Sequence, residues 1–199
     1  MTPITKDPPR SSDIPIKDIV EYILNLFDTQ GFQEYLGEPV SQREHALQAA
    51  DLARREHAPP ALIAAALLHD IGHLLPADNL LAFGDDTRHE ERAASWLSRS
   101  FGPDVTEPIR LHVAAKRYLC TTEIGYLNQL SSGSRHSLAL QGGLLSHEDV
   151  AAFERDPHFE SAIRVRRWDE EAKVPGASMP NPRTYAAILK QLLLLPNAT

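Results

Sequence analysis

ALIAAALLHDIGH, residues 61–73 of the 199-residue chain, is apolar on most sides of a helix and then abruptly polar. A helix without a polar face belongs at the centre of a helical protein. The segment is therefore expected to deliver His69 and Asp70 into the interior, with Pro59 and Pro60 starting it. Upstream, Ile19, Val20, Ile23, Leu24 and Phe27 recur at helical spacing until Gln30-Gly31 stops them, and the loop FQEYLGEPV follows. Ser41 with Glu44 three residues on makes a capping box, opening a helix to about Glu56 that carries His45 in its first turn. Downstream, residues 74–87 lack periodicity and read as a long loop over the interior. Helices resume at His89, and Asp104 is expected to cap the next one, through VTEPIRLHVAAKRYL, with Pro108 in its first turn. Further helical segments are expected at 123–139, 147–154, 158–172 and 183–195. No run alternates convincingly as a strand, so the expected fold is an all-α helical bundle. Residues 1–15 and 196–199 read as tails around one domain at 16–195.

Hydrophobic residues make up 42% and charged residues 24%, a globular balance that excludes wholesale disorder or a fibrous repeat. The longest aliphatic run, Ala61 to Leu68, is too short to span a bilayer, and the N-terminus lacks a signal peptide's apolar core, which predicts a soluble cytoplasmic protein. The single cysteine, Cys120, excludes an internal disulfide and any cysteine-rich metal site, and reads as a packing residue. A net charge of -7 argues against nucleic acid as a partner. Nine histidines call for an explanation.

Adjacent His69 and Asp70 can serve one or two metals, because a carboxylate has two oxygens with which to bridge. On the dipeptide alone, two residues that end a buried helix and hydrogen-bond each other is an equally good reading. Context counts against it, since an ionised Asp after six apolar residues is costly to bury unless paired or metal-bound. His45, His89, His112 and Asp169 are the candidate partners. Each taken singly is more readily structural, and their order along the chain carries the information.

That order, H, HD, H, H, D, resembles the HD-domain superfamily, an all-α fold whose four-ligand version holds one metal. The two extra histidines resemble its dinuclear subset, in which myo-inositol oxygenase is a more distant relative of this chain, sharing the diiron logic but not the surrounding motifs. From Gly31 to about Val174, the stretches YLGEPVSQREHALQ, AALLHDIGHL, LHVAAKRYL, SLALQGG and VRRWDEEAK resemble the HD-domain diiron oxygenases of phosphonate catabolism. By that resemblance His45, His69, Asp70 and Asp169 hold one iron and His89 and His112 the other, with Asp70 bridging a mixed-valent Fe2+/Fe3+ pair. The residue types by themselves suit iron or manganese without excluding zinc.

His73, spaced one helical turn beyond His69, could as well satisfy a buried polar group; the resemblance makes it contact substrate. Lys116 is one turn from His112 and Arg166 three residues before Asp169, and the resemblance places both, with Ser134, on a dianionic phosphonate. Arg167 reads as a surface or ion-pairing residue. Tyr35 and Glu38 read as an ordinary loop from composition; the resemblance makes them a lid, with Glu38 near a substrate nitrogen and Tyr35 closing over the iron. Gln141-Gly142-Gly143 reads as a turn, because it lacks the strand and spacing of a phosphate-binding loop.

The implied activity is O2-dependent cleavage of the C–P bond of a small 1-hydroxyphosphonate, 1-hydroxy-2-aminoethylphosphonate or its trimethylammonium analogue, giving glycine or glycine betaine plus phosphate. The expected partners are the organophosphonate and O2, with no nucleic acid and no membrane. One rival is a metal-dependent phosphohydrolase acting on a small phosphate ester, whose phosphate release would continue without O2. A regulatory HD domain is another, and would bind a ligand without turnover.

Overall fold

The computed structural model describes residues 14–33, 35, 37–75 and 88–194; most of the expected N-terminal tail, the loop at 76–87 and the C-terminal tail lie outside the described residues. A 3-10 turn, Ile16–Asp18, leads into α1 (Ile19–Thr29), followed by α2 (Gln42–Arg55), α3 (Pro60–Leu68) and a 3-10 turn Ile71–His73. Then come α4 (His89–Leu97), α5 (Pro103–Thr122), α6 (Tyr126–Gln129), α7 (Ser132–Leu140), α8 (His147–Phe153) and α9 (Phe159–Glu171). A 3-10 turn, Pro182–Tyr185, precedes α10 (Ala186–Gln191). The fold is all-α; extended pairing among the described residues is one antiparallel bridge, Phe101 to Leu193.

α3 is the axis, as its composition requires: every residue from Leu62 to Leu68 is buried. It packs against α2, α5 and α9, and α5 lies along α9. The principal core gathers Ile23, Leu24 and Phe27 of α1 with Leu67, Leu97, Trp168 and Tyr185, each fully buried. Burying one such side chain stabilises the fold by about 1.5–3 kcal/mol, so contacts with α3 hold α2, α5 and α9 around one point. The capping box forms: Ser41 Oγ accepts the Glu44 amide at 3.2 Å, and the Glu44 carboxylate accepts the Ser41 amide at 2.7 Å.

Four expectations are corrected. The apolar helix ends at Leu68, and a separate 3-10 turn follows from Ile71. The turn lies against the start of α4: a Cβ on Gly72 would sit 2.1 Å from the His89 carbonyl oxygen, an approach open only to glycine. α5 is capped by Gly102 with Pro103 at its first position, so Pro108 falls inside the helix. Pro103 is preorganised at that first position, since the amide it lacks has no helical partner. The expected helix at 123–139 is two, divided where Leu130 turns extended and Ser131 caps α7. The last segment opens as a 3-10 turn, and α10 ends at Gln191. At Gly142 and Gly143 φ is 91° and 67°, and Arg117 donates to both carbonyls of this turn. Cys120 packs with Leu119, Tyr126, Leu130 and Leu138.

Candidate metal centre

Five elements converge on one buried cluster. The first turn of α2 supplies His45, the end of α3 His69 and Asp70, the first residue of α4 His89, the middle of α5 His112, and α9 Asp169. Three of the imidazoles are fixed from behind: Nδ1 of His45 faces the Ala172 carbonyl at 2.9 Å, His69 that of Ala66 at 2.8 Å and His112 that of Ile109 at 2.7 Å. A nitrogen facing a carbonyl carries the ring proton, which leaves Nε2 as a lone pair pointing inward. Yet Nε2 of His45 lies 3.1 Å from Nε2 of His69, and Nε2 of His89 lies 3.2 Å from Nε2 of His112. The facing lone pairs of His45 and His69 repel at that distance, and a shared cation turns them into two ligands; the like separation of His89 and His112 suits the same use.

Asp70 divides its carboxylate between the pairs. Oδ2 is 3.7 Å from His45 Nε2 and 3.6 Å from His69 Nε2, whereas Oδ1 is 3.1 Å from His89 Nε2 and 3.5 Å from His112 Nε2. Asp169 Oδ1 adds to the first pair, 3.4 Å from His45 and 3.9 Å from His69. Oδ1 of Asp70 and Oδ1 of Asp169 are buried with no hydrogen-bond partner, an arrangement costly for an anion and ordinary for a metal ligand. Two groups, His45–His69–Asp70 and Asp70–His89–His112, can each hold an ion. Imidazoles with carboxylates and no thiolate form a donor set for a divalent or trivalent first-row metal.

The protonation states agree with that use except at His89, where burial pulls the imidazole down but the facing Asp70 carboxylate outweighs it and raises it. Burial pushes His112 down to about 3, with the charge of His89 adding to it, and His73 likewise to about 3. Burial alone would raise Asp70 and Asp169. The imidazoles of His69 and His89 outweigh it at Asp70, and Arg166 and His45 at Asp169, holding both well below the usual carboxylate range.

Around the cluster, Arg166 is buried and splits its guanidinium: Nη1 pairs with Asp169, Nη2 with Glu170 and, at 3.3 Å, with Ser134 Oγ, and Nε donates to the Tyr126 hydroxyl at 3.1 Å. Lys116 donates to Ser137 Oγ at 2.9 Å, and Ser137 in turn donates to the Ser134 carbonyl at 3.2 Å. The three residues expected at a phosphonate thus share one network. His73, in its own 3-10 turn and not one α-turn above His69, stacks on His89 with ring centroids 4.1 Å apart, and its Nε2 is buried without a partner. Tyr35 stacks on His45 at 4.0 Å, while the buried Glu38 accepts the Gly133 amide of α7 at 3.1 Å. Arg167 pairs with Glu123 on the surface.

Three polar residues escaped the sequence reading. Glu170 and Lys173 join the Arg166–Ser134 network; their signal was spacing, Glu170 four residues after Arg166 on α9 and Lys173 three residues further, just past the end of that helix. Gln48 pairs its amide with both backbone groups of Val174, at 2.9 and 3.0 Å, holding the end of α9 where Ala172 meets His45. No sequence pattern announces a contact 126 residues away.

The HD domain family matches residues 43–169, a span that begins two residues before His45 and ends on Asp169. The chain belongs to the HD-domain family. Within that family this HD protein is closely related to the hydroxymethyl- and hydroxyethylphosphonate dioxygenases. It is 43% identical over 178 residues to the [1-hydroxy-2-(trimethylamino)ethyl]phosphonate dioxygenase (glycine-betaine-forming) of Leisingera caerulea, covering 88% of this chain and 91% of the relative. It is 48% identical over 171 residues to the hydroxymethylphosphonate dioxygenase of Gimesia maris, covering 83% and 84%. An uncharacterized protein of Acanthamoeba polyphaga mimivirus is 37% identical over 178 residues, covering 87% and 81%. Among the described residues of this HD protein, no helix is long and apolar enough to cross a membrane.

Proposed function

We propose that this protein is a diiron oxygenase that cleaves the C–P bond of a small 1-hydroxyphosphonate. The observation that carries the reading is Asp70, which turns one oxygen to each of two histidine pairs beside a buried Arg–Lys–Ser network. Its similarity to two phosphonate dioxygenases supports the substrate class. His45, His69, Asp70 and Asp169 would hold one ion, and His89 and His112 with Asp70 the second. Activation of O2 is the chemistry that a bound mixed-valent iron pair contributes.

The chain's own side chains do the rest. Arg166, Ser134 and Lys116 take the phosphonate oxygens, and charge-assisted bonds there fix the C–P bond relative to the cluster. Tyr35, stacked on His45, screens that side of the centre from water. His73 offers an unpaired Nε2, kept neutral by burial, to a substrate or oxygen-derived group. Glu38 is the group for a cationic nitrogen. The substrate supplies all four electrons that O2 accepts, so no nicotinamide or flavin is needed: the C–P, O–O and one C1–H bond break, one C–O and one P–O bond form, and the hydrogen leaves as a proton. The products are phosphate and a carboxylate: formate, glycine or glycine betaine according to the substituent.

The test is aerobic and anaerobic incubation of iron-loaded protein with hydroxymethylphosphonate, 1-hydroxy-2-aminoethylphosphonate and its trimethylated analogue. Phosphate release that requires O2 is expected; release that continues without it would establish a hydrolase instead. In the same assay Glu38→Ala should lower kcat/KM for the two nitrogen-bearing compounds, the primary amine more, because it also loses hydrogen bonds. Hydroxymethylphosphonate should be little affected. A uniform loss on all three would show that Glu38 shapes the loop through Gly133 and does not read the nitrogen.

A further inference from the structure

One oxygen, Oε2 of Glu170, gathers the donors that a phosphoanion would use. Arg166 Nη2 pairs with it, Ser134 Oγ donates to it at 2.8 Å and Lys173 Nζ at 3.0 Å, while Oε1 accepts the Ser131 amide at 2.7 Å. A guanidinium, an ammonium and a hydroxyl on a single anionic oxygen is the environment expected of a phosphonate oxygen. The donors are deeply buried, with Arg166 at 2% and Lys173 at 8% side-chain exposure. The Nη2 edge of Arg166 that faces Ser134 is therefore already filled by a carboxylate of the protein itself.

Resting on the phosphonate reading of Arg166 and Ser134 given above, we propose that Glu170 is an internal placeholder anion, occupying the phosphonate-oxygen position until substrate displaces it. Without it, the three cations Arg166, Lys173 and Lys116 would be left with Asp169 and, at Lys116, Asp70, and under-compensated buried charge is strongly destabilising. With it, the donors stay converged, and every phosphoanion binds against the carboxylate that it must move. The apparent affinity is lowered by the fraction of molecules in which Glu170 has vacated the position. Glu170 acts on the product as it does on the substrate, so it favours release of phosphate. Glu170 is thus a positioning residue, separate from the metal cluster and from Glu38.

The structure also supplies a control, because Glu171 is the adjacent carboxylate on α9 and is exposed. Inorganic phosphate and methylphosphonate are titrated calorimetrically into the as-purified holoprotein and its Arg166→Ala, Glu170→Gln and Glu171→Gln variants. Glu170→Gln is expected to bind both probes about tenfold tighter, and to lower KM for hydroxymethylphosphonate together with kcat as phosphate release slows. Glu171→Gln, with the same change of charge, should stay within about twofold of wild type, as expected of a surface charge. Equal or weaker binding in Glu170→Gln would overturn the proposal, because a purely structural Glu170 can only lose donors when altered. Loss of phosphate binding in Arg166→Ala keeps the phosphonate reading in force, so that the Glu170 result judges the placeholder alone. Unchanged binding in Arg166→Ala would remove that reading and the placeholder with it. Should Glu170→Gln not fold, Glu170→Ala with added formate decides: formate should weaken phosphate binding in the variant and not in wild type, and indifference to formate would refute the role.

Discussion

Asp70 presents different oxygens to different histidine pairs, so one substitution there should disturb both halves of the centre. Asp70→Asn replaces a carboxylate placed between the two pairs with an amide that cannot bridge by charge, and metal analysis is expected to show loss from both positions. His112→Ala removes one imidazole from the second group and should empty mainly that position. Full metal content in Asp70→Asn would sink the bridging assignment. The six cluster residues were legible through their order: His45 stands before the HD dipeptide and His89, His112 and Asp169 after it, and although each alone is more readily structural, the series H, HD, H, H, D is a recognisable pattern. Glu170, Lys173 and Gln48 were not legible as site residues. Charged and amide side chains ordinarily face water, and only packing shows that these three are withdrawn from it.

At the scale of elements, the centre depends on how α3 stops. Helical spacing through ALIAAALLHDIGH predicted one helix to His73, since His, Asp and Ile all fit a helix and a lone Gly does not forbid one. What ends it is tertiary: Gly72 abuts the His89 carbonyl, and that contact places the turn bearing His73 against the helix bearing His89. Gly72→Ala should therefore push α4 away and cost about 1–3 kcal/mol of stability through overpacking. It should also lower metal content at the His89–His112 position more than at His45–His69. Denaturant midpoints and metal analysis of the purified variant would test this, and a variant with wild-type stability and full metal content would contradict it. The start of α2, by contrast, was legible to the residue, because a capping box is local chemistry and needs no partner elsewhere in the chain.

Across the whole molecule, stability is given up to keep cations inside. Arg166, Lys116 and Lys173 lie in one network with Asp169 and Glu170, on the α5, α7 and α9 side of the bundle. Arg166 bonds two carboxylates, whereas among the described residues the hydrogen bond of Lys116 goes to a neutral serine hydroxyl, with Asp169 and Asp70 acting on it through space. Burial, and after it the charge of Arg166, push its ammonium down to about 8 from an ordinary 10.5. A lysine whose folded pKa is depressed opposes folding whenever it must stay charged. Below about 8 that cost is present in full, and between about 8 and 10.5 the unfolded chain binds more protons than the folded one, so stability rises with pH across that window. A difference of that size amounts to roughly 3 kcal/mol. Lys116→Met, which keeps the length of the side chain and removes its charge, is expected to be more stable than wild type near neutral pH, with the gap narrowing steadily toward the top of the window. Urea midpoints of the two metal-free proteins across this range isolate the effect, because other titrating groups are common to both. A gap that stays constant, or a variant less stable throughout, would mean that Lys116 is held by favourable contacts and carries no such cost.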